Sequence, residues 1–224
     1  MTELWIVRHG QTVFNVEDRV QGMANSALTA QGVAEATALG RGLGQAGVRF
    51  DAAYSSDLSR ALDTARHVLV NAGQADLPLT LDAGLREENY GRFEGQLTND
   101  FAQTLFGLPD FAAALRTHQI SLAQIADATR AANADQTPNR AEDNAMVTQR
   151  FDAALRQLAG DQAGRLLVVT HGTVVLMWLR RLGFDTRGQD MLHNASVTRV
   201  RFDGQTFTVT DFDDLTYVNT GKEA

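Results

Sequence analysis

The chain has no cysteine among its 224 residues. Disulfides, thiolate metal ligands and a cysteine nucleophile are therefore excluded. No apolar run approaches the roughly 20 residues of a membrane-spanning helix. Met1-Thr2-Glu3 leads straight into the first apolar run, without the basic segment and cleavage site of a secretory leader, so the expected location is cytoplasmic. Beyond scattered pairs, no cluster of Lys and Arg offsets a net charge of −7. Nucleic acid and anionic membranes both demand a basic surface and are not expected partners. There is no HxH or HExxH pair, so no His-based metal centre is expected. Neither an internal repeat nor a linker interrupts the chain.

What remains is a globular composition, 44% hydrophobic and 21% charged, long enough to bury a substantial core. Strand and helix signals alternate along it. Leu4–Val7 is short and wholly apolar and predicts a strand buried on both faces. Thr29 predicts an N-cap for a helix to about Gln45, with Leu39 and Leu43 inward. Phe50–Tyr54 reads as a strand, followed by a helix over Leu58–Val70 whose buried stripe is expected at Leu58, Leu62, Ala65 and Leu69. A short strand at Leu79–Leu81 and a loop at Arg86–Gly95 come next. From Thr98 to about Arg130 the sequence is alanine-rich and helical, with Asp110 and Ser121 as caps. A helix over Glu142–Ala159, a strand at Leu166–Thr170 and a helix over Thr173–Leu182 follow. Two late strands, Ser196–Phe202 and Thr206–Asp211, flank the hairpin signal Asp203-Gly204. This order predicts a single α/β domain over 1–224, a three-layer α/β/α sandwich with a mostly parallel sheet and a helical insertion at about 97–140. The last residues, Asn219–Ala224, are expected to fray.

Two of the apolar runs end alike. Leu4–Val7 leads into Arg8-His9-Gly10, and Leu166–Val169 into Thr170-His171-Gly172. In open α/β sheets ligands sit beyond the carboxyl ends of the strands. Neighbouring strands would thus bring His9 and His171 into one crevice. The helix starting near Thr173 would aim free N–H groups there. Arg60, in the first turn of its helix and roughly opposite the buried stripe, reaches the same place unless it merely pairs with Asp63 at i+3. Two histidines, two arginines and a helix N-terminus form a donor-rich anion site, best suited to phosphate.

The segments "VRHGQTVFN", "LTAQGVAEA", "SSDLSRALDTA", "LREENYGRFEG" and "VVTHG" stand in an order and spacing that resembles the histidine phosphatase superfamily, in its phosphoglycerate mutase-like branch. The resemblance covers nearly the whole chain and is weakest between Gln96 and Ala141. It implies that His9 is the nucleophile that becomes phosphorylated. It further implies that Arg8, Arg60 and His171 bind the phosphoryl oxygens with Asn15 as an added donor, and that Glu87 protonates the leaving oxygen. Gly10 and Gly172 would then let the backbone approach the phosphate. The implied chemistry needs neither metal nor cofactor, takes a small phosphomonoester and yields inorganic phosphate. Glu88 competes for the acid role, but the family register favours Glu87 and leaves Glu88 as an exposed loop carboxylate. His67 and His118 read as ordinary surface or packing histidines, and His193 is left without a role.

A mutase needs cations for a carboxylate and a second phosphate. Residues 97–140 hold only Arg116, Arg130 and Arg140, with no lysine and no adjacent arginine pair. A pocket capped by Phe101, Phe106 and Phe111 suits a small or apolar ester, so hydrolysis is the expected activity. Cofactor-dependent phosphoglycerate mutase and a phospho-ligand-binding protein without turnover are the alternatives. Exposed apolar residues of the insertion or late strands offer a face for a homodimer, though nothing in the sequence compels one.

Overall fold

A computed structural model of the protein describes residues 1–223. Six strands, β1 (Thr2–Arg8), β2 (Ala52–Ser55), β3 (Leu79–Leu81), β4 (Gly164–Thr170), β5 (Val197–Phe202) and β6 (Phe207–Asp214), form one sheet in the order β3-β2-β4-β1-β5-β6. The first four are mutually parallel, while β5 runs antiparallel to β1 and β6 to β5. The expected mostly parallel α/β sandwich is what forms.

The helices are α1 (Val13–Val16), α2 (Ala30–Gln45), α3 (Ser59–Asn71), α4 (Thr98–Phe106), α5 (Phe111–Arg116) and α6 (Leu122–Ala132). They continue with α7 (Asn144–Asp161), α8 (Gly172–Arg181) and α9 (Thr216–Lys222). Successive side chains of β1 and β4 point to opposite faces, as the pleat requires. Leu4, Ile6, Leu166 and Val168 enter a core covered by α7, α8 and the insertion helices. Trp5, Val7, Leu167 and Val169 enter a second core under α2, α3 and α9. Both faces are covered, which is why these strands read as continuous apolar runs.

Local signals set many boundaries. Thr29 caps α2 by accepting the Gly32 N–H, Asp110 caps α5 and Ser121 caps α6 within a capping box, each such cap being worth about 1 kcal/mol. Three expectations need correction. The buried face of α3 keeps Ala65 and Leu69 as expected, with Leu58 buried at its start, but it is wider than the stripe and adds Arg60, Ala61, Thr64 and Val68. Leu62 is half-buried instead. The C-terminal segment does not fray over Asn219–Glu223, because α9 packs on α2 and buries Val218 and Gly221; Ala224 lies outside the described residues. Finally, α1 was not expected. Thr12 and Asn15 close it with a capping box.

Among the described residues no helix is long and apolar enough to cross a membrane.

Candidate active site

Strand pairing builds the site. β1 and β4 lie side by side with Arg8 opposite Thr170, and the His9 N–H continues the ladder to the Thr170 carbonyl at 3.0 Å. The next residues, His9 and His171, therefore leave the same edge of the sheet. Their ring centroids are 5.3 Å apart.

His9 is 4% exposed, and its Nδ1 lies 2.8 Å from the Gly10 carbonyl. A carbonyl only accepts, so Nδ1 carries the proton and Nε2 is left with a free lone pair. Burial, then the charges of Arg60 and Arg8, hold the His9 pKa well below the usual histidine value. Cations disfavour a further proton, so the imidazole is neutral and able to attack.

Around His9 opens a cavity of about 140 Å³, lined on its polar side by Arg8, Asn15, Arg19, Gln21, Glu87, Gly172 and Asp190. Its donors are largely uncommitted. Arg8 Nη1 donates to the Leu192 carbonyl, but Arg8 Nε is buried with no partner. The Gln21 side-chain nitrogen is buried and unpartnered as well, while its Oε1 accepts from the Thr12 hydroxyl. Asn15 Oδ1 accepts from the Thr12 N–H and from Asn194, leaving the amide N–H groups of Asn15 over. Buried donors without acceptors are costly, and an anion beside His9 would satisfy them. Gln21 was missed from the sequence; no motif spacing marked it, and only the loop conformation turns its amide inward.

Glu87 is 4% exposed, and its carboxyl group occupies the N-terminus of α8. Oε1 accepts from the Val174 N–H at 2.7 Å and the Glu88 N–H at 3.1 Å, and Oε2 from the Thr173 N–H at 2.9 Å. This corrects the expectation of a helix end open to phosphate, since Glu87 takes two of its N–H groups and Gly172 keeps the remaining one. Oε1 has both lone pairs engaged and Oε2 one, so Oε2 is where a proton can sit. Burial raises the Glu87 pKa, opposed by these N–H bonds and by Arg60.

Arg60 and His171 stand behind the cavity wall. Arg60 is fully buried, and its partner is not Asp63, which pairs with Arg66. Arg60 Nε donates to His171 Nδ1 at 3.1 Å, and its other nitrogens bond the carbonyls of Gln21, Gly22 and Ala24. His171 Nε2 then carries its proton toward Ser56 Oγ at 2.9 Å. Both ring nitrogens of His171 are thus engaged by protein, and the pair acts on the cavity through charge and through shaping its wall. Burial lowers the Arg60 pKa to about 10, against the favourable charges of Glu87 and Glu94.

Other expected residues fall elsewhere. Gly10 is not at the cavity: its N–H donates to Thr64, and a Cβ there would lie 2.4 Å from the Gly32 carbonyl oxygen. Its smallness serves the packing of α2. At Gly172 an added Cβ would lie 3.2 Å from Arg8 Nε, a tight contact with the cavity-lining arginine. Glu88 is not exposed but wholly buried. His193 is exposed and bonds Asp213 at 2.6 Å, away from the cavity. His67 is half-buried on α3 and His118 exposed. Phe101 and Phe111 line the cavity roof with Leu115, Leu122 and Ile125, whereas Phe106, half-buried, packs against the core. Among the described residues no group of three or more His, Asp and Glu is disposed to hold a metal ion.

The profile of the histidine phosphatase superfamily (branch 1) matches residues 4–215. The 2,3-bisphosphoglycerate-dependent phosphoglycerate mutase of Bartonella quintana is 44% identical over 92 residues, 41% of this chain and 45% of that protein. The enzyme of the same description from Brucella anthropi is 44% identical over 104 residues, 46% of this chain and 50% of that protein. The match spans about half the length of these curated relatives. The structure of phosphoglycerate mutase from Bacillus anthracis superposes with a TM-score of 0.86 at 34% identity, covering 99% of this chain and 96% of that one. A mycobacterial glucosyl-3-phosphoglycerate phosphatase shares the fold, with a TM-score of 0.72 at 22% identity over 95% of this chain and 99% of that one. With nearly its whole length matched and the paired histidines at adjacent strand ends, the chain belongs to the histidine phosphatase superfamily.

Proposed function

We propose that this protein hydrolyses a small phosphomonoester through a phosphohistidine at His9. In the first step the bond from His9 Nε2 to phosphorus forms as the ester P–O bond breaks, and Glu87 gives its proton to the leaving oxygen. In the second, a water oxygen bonds to phosphorus as the N–P bond breaks, its proton returns to Glu87, and inorganic phosphate leaves. Arg8, Asn15, Gln21 and the Gly172 N–H would hold the phosphoryl oxygens as charge develops on them, with the charge of Arg60 behind. One observation carries the choice of water as acceptor. Uncommitted donors crowd around His9, while the roof is apolar and its insertion contributes no cation to the cavity lining.

The names of the relatives favour a second reading, phosphoglycerate mutase with 2,3-bisphosphoglycerate as phosphoryl donor. In that case the phosphohistidine would persist until a sugar acid took up its phosphoryl group. The two readings separate in one assay. Phosphate release from a panel of monoesters is followed in EDTA for the wild type and His9→Ala. The panel includes 3-phosphoglycerate with and without 2,3-bisphosphoglycerate, and 2-phosphoglycerate is measured in parallel. Release that disappears in the variant is expected. Isomerisation faster than release would replace hydrolase by mutase, and retention of activity in His9→Ala would remove both.

A further inference from the structure

Glu94 closes the segment "LREENYGRFEG" but does not line the catalytic cavity; it lies on a separate groove beside Met23 and Arg86. Its carboxylate accepts four backbone N–H bonds. Oε1 takes those of Met23 at 2.8 Å and Tyr90 at 3.0 Å. Oε2 takes those of Gly22 at 3.0 Å and Ala24 at 2.9 Å. The same loop turns its carbonyls the other way, to Arg60, with Nη2 2.8 Å from the Gly22 oxygen and Nη1 3.1 Å from that of Ala24. Peptide groups thus lie between a carboxylate and a guanidinium, and each hydrogen bond polarises the next. The close fit leaves no slack: a Cβ on Gly22 would sit 2.0 Å from the Glu88 carbonyl oxygen and 2.5 Å from Glu94 Oε1. The bond from Tyr90 ties this loop to the segment that carries Glu87, and Arg60 Nε passes the constraint on to His171 Nδ1.

We propose that Glu94 is a positioning residue for phosphoryl transfer, setting Arg60, and through it His171, by gripping the Gln21–Ala24 loop from the side away from the substrate. The proposal rests on the phosphohistidine reading above. It makes a specific demand, that the effect of Glu94 run through Arg60. Glu94→Gln keeps the shape but replaces one acceptor oxygen by a donor facing N–H groups. A misplacement of about 1 Å costs up to about a hundredfold in rate, so a loss of about tenfold is expected for a smaller shift.

The test is a double-mutant cycle of Glu94→Gln with Arg60→Ala, read by phosphate release from p-nitrophenyl phosphate and by orthovanadate affinity, with the melting temperature of each variant measured. Glu94→Asp, which keeps both oxygens one methylene shorter, goes through the same cycle and decides the question should Glu94→Gln not fold. Expected is a loss in the wild-type background that shrinks to less than about twofold when Arg60 is already absent. A loss of equal size in both backgrounds, tracking the melting temperature, would overturn the proposal alone. A wild type with neither turnover nor phosphorylation of His9 would overturn the phosphohistidine reading and the proposal with it.

Discussion

Two adjacent carboxyl groups, Glu87 and Glu88, are both buried, and their partners set them apart. Glu87 accepts three N–H bonds that favour its anion. Both oxygens of Glu88 are buried and accept from no backbone N–H. Burial first, then the nearby carboxyls of Glu87 and Glu142, push the Glu88 pKa well above its ordinary value. Burial therefore favours the acid form of Glu88 more than that of Glu87, whose anion is held by N–H groups, although the sequence alone gives the two the same chemistry. The sign of the consequence follows from linkage. A folded-state pKa raised above the unfolded 4.5 means that the native state holds a proton the unfolded chain gives up. The stability contributed by Glu88 is fully present below that pH and is lost as pH rises through the folded pKa. Glu88→Gln removes the titration. The melting temperature of the variant should rise relative to the wild type as pH is taken from acid to alkaline. A difference that stays constant over that range would mean that Glu88 is ionised in the fold.

At the scale of elements, α2 and α9 cross at glycines. A Cβ on Gly221 would lie 1.8 Å from the Ala38 carbonyl oxygen, and one on Gly42 would lie 1.9 Å from that of Tyr217. Both obstacles are backbone, so a methyl group has to part the helices. Gly221→Ala is expected to destabilise the protein by about 1–3 kcal/mol, read as a drop in melting temperature of about 2–4 °C per kcal/mol at this size. An unchanged melting temperature would show that α9 is not anchored to α2. The same contact explains why this helix was not legible. "TYVNTGK" is rich in β-branched residues, carries a glycine, and forms a helix because α2 offers a surface rather than because of its own propensity. Elements with their own caps and a full stripe, such as α2, α6 and α7, could be read directly. The meeting of Arg8 and His9 with His171 at one sheet edge was legible because motif and strand end coincide, whereas Glu87 entered through the family resemblance alone. The burial of Arg60 was not legible, since an arginine in a first turn defaults to solvent and only the loop carbonyls at Gln21–Ala24 make burial tolerable. Gln21 and Glu94 depend on that loop conformation, which no local spacing encodes.

For the whole molecule, the sheet fixes the donor-rich site at His9 and leaves its roof to the helices laid over it. The chain carries a net charge of −7, and the cations that bear on His9 are Arg8 in the cavity wall and Arg60 behind it. Arg19 also reaches the lining, but it is paired with Glu17 and the Gly95 carbonyl. None of the insertion arginines lines the cavity; Arg130 is bound to the carbonyls of Asn139 and Ala141. A substrate carboxylate placed beneath Phe101 and Phe111 would thus lose water without gaining a charged donor, which is costly. The wild type should handle 3-phosphoglycerate no better than a glycerol phosphate of the same size. Phe111→Arg supplies the missing donor, and a charge-assisted hydrogen bond worth about 1.5–3 kcal/mol should raise kcat/KM for 3-phosphoglycerate over the ester that lacks the carboxylate by about tenfold or more. Competition kinetics with the two esters, in wild type and variant, measures this ratio directly. If the wild type already prefers the acid, a cation must reach the roof when substrate binds, and the mutase reading carried by the relatives' names would take precedence over hydrolysis.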